Sequence, residues 1–163
     1  MLRPGIRSSA RRRTTWARQS VTVTALAAAT VSDVDLLTPV EVASASTLAV
    51  TVMRVHLQIQ VQNWAAVTDD ILFGLIVGRS ADIGTNVAGQ ISPASTEYPW
   101  MLWGELQPAA SGAAVDTCAV YTFDVKARRK MPELTQRLAL CFLNQSAAAK
   151  TFEITSSVLL ALP

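Results

Sequence analysis

The sequence predicts an all-β fold, a sandwich or closed barrel of seven or eight strands. Three observations carry that expectation. Several segments alternate apolar and polar residues with period 2. One segment, Ile71–Val77, is apolar on both faces. No stretch shows the 3.6-residue periodicity of a long amphipathic helix.

The first strand is expected at Gln19–Val31, where Ser20-Val21-Thr22-Val23-Thr24 alternates before an alanine-rich continuation. Ser32 and Asp33 then read as the cap of a single helical turn through Asp35-Leu36-Leu37, stopped by Pro39. Leu48–Gln62 is the clearest strand of the chain. Val55, Leu57, Ile59 and Val61 fall on one face, and Arg54, His56, Gln58, Gln60 and Gln62 on the other. A helix would scatter these residues around its circumference.

Ile71–Val77 reads as a central strand covered above and below. A long connection containing Gly84, Gly89 and Pro93 follows. Trp100–Leu106 reads as a strand with Trp100 and Leu102 on one face and Met101 and Trp103 on the other. Pro108 to Gly112 reads as a loop. Thr117–Lys126 sets Tyr121, Phe123 and Val125 against Val120, Thr122 and Asp124. Lys126-Ala127-Arg128-Arg129-Lys130 reads as a basic hinge before Pro132. Arg137–Leu143 and Thr151–Leu162 complete the set, separated by the turn Asn144–Lys150. This regular alternation of strands and loops suggests a sandwich or closed barrel, of the kind that jelly rolls exemplify.

Charge is distributed unevenly. Six of the chain's 14 Lys+Arg, namely Arg3, Arg7, Arg11, Arg12, Arg13 and Arg18, fall within the first twenty residues, and none of its 12 Asp+Glu does. The remainder therefore carries eight basic against twelve acidic groups, and the overall +2 conceals both halves. We divide the chain into an arginine-rich arm, 1–19, and a body, 20–163. Arginine forks bond phosphate oxygens in pairs and keep their charge at all accessible pH, so the arm is expected to hold polyanions without sequence preference. Only 16% of residues are charged, against about 25% in an average domain. A body so poor in charge favours burial between subunits.

Enzyme chemistry is not expected. The single histidine, His56, sits among polar strand residues and reads as a surface or interface group. No glycine-rich phosphate loop, zinc spacing or nucleophile elbow occurs, so the expectation is no catalytic residue, metal or cofactor. Asp69-Asp70 reads as a solvated loop start, with an oxygen-ligand cation site as the sharper alternative. Cys118 and Cys141 both read as buried free thiols. Trp16 reads as an anchor for the arm, with base stacking as its alternative. Lys126, Arg128, Arg129 and Lys130 are expected at a subunit interface, paired with acids such as Glu133 or Asp124, or at an inner surface. No run approaches the ~20 apolar residues of a membrane span.

Leu48–Gln62, Trp100–Gly104 and Tyr121–Leu140, together with the basic arm, resemble the single jelly-roll capsid proteins of small viruses. The likeness is strongest to coats of small circular single-stranded DNA viruses and their environmental relatives. The resemblance implies two facing antiparallel four-stranded sheets, icosahedral self-assembly into a virion or virus-like particle, and an arm directed inward. It makes Arg3 to Arg18 the cargo-contacting residues and places Lys126–Lys130 at a strand end near subunit contacts. The partners expected are other copies of the chain and nucleic acid. Two other classes fit the composition. One is a small-oligomer nucleic-acid-binding β-protein; the other is an organellar or secreted β-sandwich whose basic leader is cleaved.

Overall fold

The computed structural model describes residues 14–28, 30–37, 50–79, 83, 100–111, 114–131 and 136–162. Its elements in chain order are β1 (Thr14–Leu26), β2 (Val31–Leu37), β3 (Val50–Gln62), β4 (Ile71–Arg79), β5 (Leu102–Leu106), β6 (Ala110–Ser111), β7 (Ala114–Val115), β8 (Cys118–Met131), β9 (Gln136–Asn144) and β10 (Lys150–Ala161). Eight of them form two antiparallel four-stranded sheets, ordered β1-β10-β3-β8 and β2-β9-β4-β5. The chain crosses between the sheets at nearly every connection, and this strand order is that of a jelly roll. β6, inside the loop expected at Pro108 to Gly112, pairs with β7 just beyond it as a two-stranded ribbon.

Alternation decides which side of each strand is buried. In β3, Val55, Leu57, Ile59 and Val61 are almost wholly buried, while their neighbours face solvent on the outer side of the first sheet. β10 repeats the pattern with Phe152, Ile154, Val158 and Leu160. The second sheet answers with Phe73, Leu75, Leu138, Leu140 and Phe142. Aromatic pairs tie the sheets together: Phe73 lies 4.9 Å from Phe123 and Phe142 stacks 4.6 Å from Phe152, measured between ring centroids. β4 is buried on both faces, as its unbroken apolar run requires. Its outer side carries Gly74 and Ile76, against which Trp100 and Ile83 pack.

Several expectations require correction. Residues 32–37 belong to strand β2 rather than a capped helical turn. Asp33 and Asp35 point to the outer side of the second sheet, where both meet the guanidinium of Arg137 in β9, and that tertiary partner overrides the capping signal. The first strand starts at Thr14 and ends at Leu26, so the alanine-rich stretch turns out of the sheet. Met101 precedes β5, donates its amide to Leu75 O at 2.8 Å and packs on the central core beside Leu102. Trp103 alternates outward with Glu105 and is 47% exposed. Finally, Cys118 is exposed at the start of β8, whereas Cys141 is buried.

Two neighbouring polar clusters brace one end of the sandwich, where Leu26 pairs with Lys150 and Ile71 with Asn144. Asp69 is buried and accepts hydrogen bonds from the amides of Ala65 and Ala66 and from Lys150 Nζ, the last at 2.7 Å. Lys150, fully buried, also donates to Asn63 O at 2.9 Å and lies 5.5 Å from the ring centre of Trp64. Asn63 adopts a left-handed backbone, φ 68°, a region asparagine tolerates better than most residues. Asp69 is therefore not a solvated loop residue: its Oδ2 is taken by Lys150 and two backbone amides. Asn144 forms the second cluster. Its amide nitrogen donates to the carbonyls of Leu26, Ala27 and Ala148 at 3.0–3.1 Å, and its oxygen accepts from the Ser146 amide and hydroxyl.

Candidate nucleic-acid interface

The outer face of the first sheet collects the charged and aromatic residues that period-2 alternation turns away from the core. Register aligns Trp16, Leu159, Arg54 and Lys126 in one cross-strand row. Arg18, Ser157, His56 and Asp124 form the next. Farther along lie Ser20, Thr155, Gln58 and Thr122. One end of the face is thus cationic and aromatic, and the rows beyond it carry amides, hydroxyls and one carboxylate, Glu153, which accepts a hydrogen bond from Gln62.

The basic run at 126–130 is not a hinge. It continues β8, which extends to Met131. A bulge accommodates it: Arg54 pairs with Lys126 and Val52 with Arg129, so Ala127 and Arg128 together oppose the single Met53. Arg128 takes a left-handed backbone, φ 49°, within the bulge. Lys126, Arg128, Arg129 and Lys130 are all exposed. A surface depression of about 350 Å³ is lined by Thr51, Met53, Arg128 and Lys130.

Asp124 is already committed within the chain. Arg54 Nε and Nη2 clasp its two oxygens, with Nε to Oδ1 at 2.7 Å, and His56 Nδ1 lies 3.4 Å from Oδ1. The hydrogen bond from Arg54 holds the Asp124 carboxyl below its usual range, against a small opposing effect of burial, and the same bond raises the Arg54 guanidinium. Asp124 is thus not a free acid awaiting a cation from a neighbouring subunit, as one reading of the sequence had it. Glu133, the other acid proposed for that role, lies outside the described residues.

Trp16 is 46% exposed and stacks on His56, ring centroids 5.6 Å apart and planes inclined by 20°. Arg18 is exposed two residues along the same strand. Arg3, Arg7, Arg11, Arg12 and Arg13 lie outside the described residues. The chain nevertheless joins β1 at Thr14, whose row is Ala161, Thr51 and Lys130. The arginine-rich sequence therefore connects to the fold at the end of the sheet where Arg128 and Lys130 stand.

Elsewhere the charged groups serve the fold. Arg137 is held between Asp33, 2.6 Å away, and Asp35, and donates to Ile83 O at 3.0 Å. Burial, and to a lesser degree Asp33, pushes the Cys141 thiol up to about 12, which leaves it protonated and inert. Among the described residues no group of three His, Cys, Asp or Glu side chains stands together to hold a metal ion. The Trp16–His56 stack was not legible in the sequence: the outward face of His56 could be assigned, but Trp16 fell in the arm, ahead of the strand expected at Gln19–Val31. Only the register through β10 brings them together.

No family model matches the chain, and no curated protein does. Solved structures resemble it loosely. The Tobacco streak virus coat protein dimer is 14% identical with a TM-score of 0.49, covering 92% of this chain and 86% of that one. A subunit of the disulfide-linked pili of Bacillus endospore appendages is 9% identical with a TM-score of 0.47, covering 99% and 100%. Broad Bean Stain Virus gives 14% and 0.44 over 94% and 89%. The chain thus resembles viral capsid proteins and an appendage subunit, and the jelly-roll assignment stands on the strand order itself.

Proposed function

We propose that this chain is a structural shell subunit that self-assembles into an icosahedral capsid and packages nucleic acid through its basic amino-terminal segment. One observation carries the reading. A segment with cations and no acids joins a jelly roll at the sheet end that already displays Arg128 and Lys130, so two sources of positive charge converge on one side of the wall. Phosphates placed there would release counterions from both. The cations of β8, an edge strand, also discourage pairing of that edge with another copy. Subunit contacts then fall to apolar surface elsewhere, such as the exposed Trp103 on β5.

Light-scattering mass with the 260/280 nm absorbance ratio on the same peak tests the proposal. A megadalton particle with excess absorbance at 260 nm is expected. A monomer or small oligomer free of nucleic acid, across assembly-promoting salts, would reject it and favour the small binding protein or the processed β-sandwich. The finer reading, a coat of a small circular single-stranded DNA virus, makes the cargo DNA. Nucleic acid that resists ribonuclease and yields to deoxyribonuclease after release would bear it out.

A further inference from the structure

We infer that the outer face of the β1-β10-β3-β8 sheet is itself a binding surface for single-stranded nucleic acid, on which Trp16 stacks an unpaired base while Arg18, Lys126, Arg128 and Lys130 hold the flanking phosphates. The inference rests on the packaging reading and extends it from the arm to the folded body.

Trp16 supplies the first argument. Nearly half of its surface is open, and the ring is backed by the imidazole of His56, which fixes its orientation before any ligand arrives. A pre-oriented, half-exposed indole beside cations is the usual apparatus for holding a base without reading its identity. Charge supplies the second. Among the described residues the one acid on this end of the face, Asp124, is clasped by Arg54, so the positive groups around it remain available to a polyanion. Shape supplies the third. The depression beside Arg128 and Lys130 lies toward the arm, and a second one, of about 170 Å³, lies beyond the tryptophan row. His56, Gln58, Thr122, Thr155 and Ser157 line the latter with amide and hydroxyl groups that can bond base edges or sugars. From Thr51 to Gln58 the two depressions and the intervening row span about 23 Å along β3, at roughly 3.3 Å per residue. Duplex DNA keeps its bases stacked and would leave the indole without a partner, so the surface fits unpaired strands.

Fluorescence anisotropy of a labelled oligothymidylate with the full-length chain, over a series of salt concentrations, tests this. Trp16→Ala should bind roughly 5- to 150-fold more weakly, the range for loss of one stacked base, with an unchanged salt slope. Trp16→Phe should retain most of the affinity. The triple change Lys126→Ala, Arg128→Ala and Lys130→Ala should flatten the salt slope by about 2, at roughly 0.7 per lost contact to a single strand. Arg18→Ala, at an exposed position, gives the same type of readout if Trp16→Ala lowers the melting temperature. Wild-type affinity in Trp16→Ala overturns the inference, as does equal weakness of Trp16→Ala and Trp16→Phe. So does a Trp16→Ala variant that loses particle mass while binding the oligonucleotide normally, which would make the face a subunit contact. Nucleic-acid-filled particles combined with unaltered binding by these variants would sink this inference alone. Failure of the wild type to form particles would sink the shell reading and leave the binding result standing.

Discussion

Lys150 has no exposed surface, and its ammonium is satisfied by one carboxylate, one carbonyl and one aromatic face. Removing one member of such a pair leaves the other charge buried and uncompensated, which typically costs about 3–5 kcal/mol. Lys150→Met should therefore lower the urea midpoint strongly, and Asp69→Leu combined with Lys150→Met should recover part of the loss. The pair also sets an acid limit. Burial raises the Asp69 carboxyl, but the Lys150 hydrogen bond and the two amide bonds outweigh it, so the folded value lies below the unfolded one near 3.8. The stabilisation it provides is complete above that unfolded value and disappears as pH falls through the lower folded value. Urea unfolding followed from pH 6 to pH 2 should show a shallower loss of stability in Asp69→Asn than in the native chain, although the variant starts lower.

Among the elements, β3 was readable almost residue by residue, because strict alternation leaves one possible burial pattern. Leu57 and Ile59 are buried as that pattern requires. Leu57→Ala or Ile59→Ala should each cost about 2–5 kcal/mol in denaturant titrations. β2 was misread because Ser32, Asp33 and Asp35 are poor strand formers, and only Arg137, about a hundred residues later, explains them. The extent of β8 was missed for a related reason. Five residues with four cations look like a solvated link, and a bulge at Ala127–Arg128 has no sequence signal when its left-handed residue is arginine instead of glycine. Buried ion pairs were equally hidden, since Asp69 and Lys150 meet only through the closed sandwich. At β4, a Cβ on Gly74 would approach the Trp100 ring to 2.6 Å. Gly74→Ala should destabilise by about 1–3 kcal/mol. A double-mutant cycle with Trp100→Ala should show a smaller cost of the alanine once the ring is gone.

At the scale of the whole molecule, the arginines proposed to package nucleic acid precede the strands that build the core. The core is built from the facing sheets, while Arg11, Arg12 and Arg13 precede the first strand. Replacing these three with alanine should lower packaged nucleic acid, read as the 260/280 nm ratio of purified particles, and leave the melting temperature within about a degree, since they precede every strand of the two sheets in sequence. Full cargo at raised salt in that variant would contradict the packaging role of the arm. The arm's chemistry was plain in the sequence, and so was the sandwich. The surface on which the two meet was not, since it depends on which strand ends the topology brings side by side.

The two thiols divide the labour of a chemical probe. Cys141 is sealed between β2 and β4 with its proton held, while Cys118 stands open at the far end of the same sheet face that carries Trp16. Every subunit therefore offers a single addressable sulfur, well removed from the tryptophan row. A maleimide tethered to a long polymer, too bulky to pass through the pores of a closed particle, would modify Cys118 in free subunits. Its reaction with intact particles would report which side of the wall this face has been turned to: protection means inward, modification means outward.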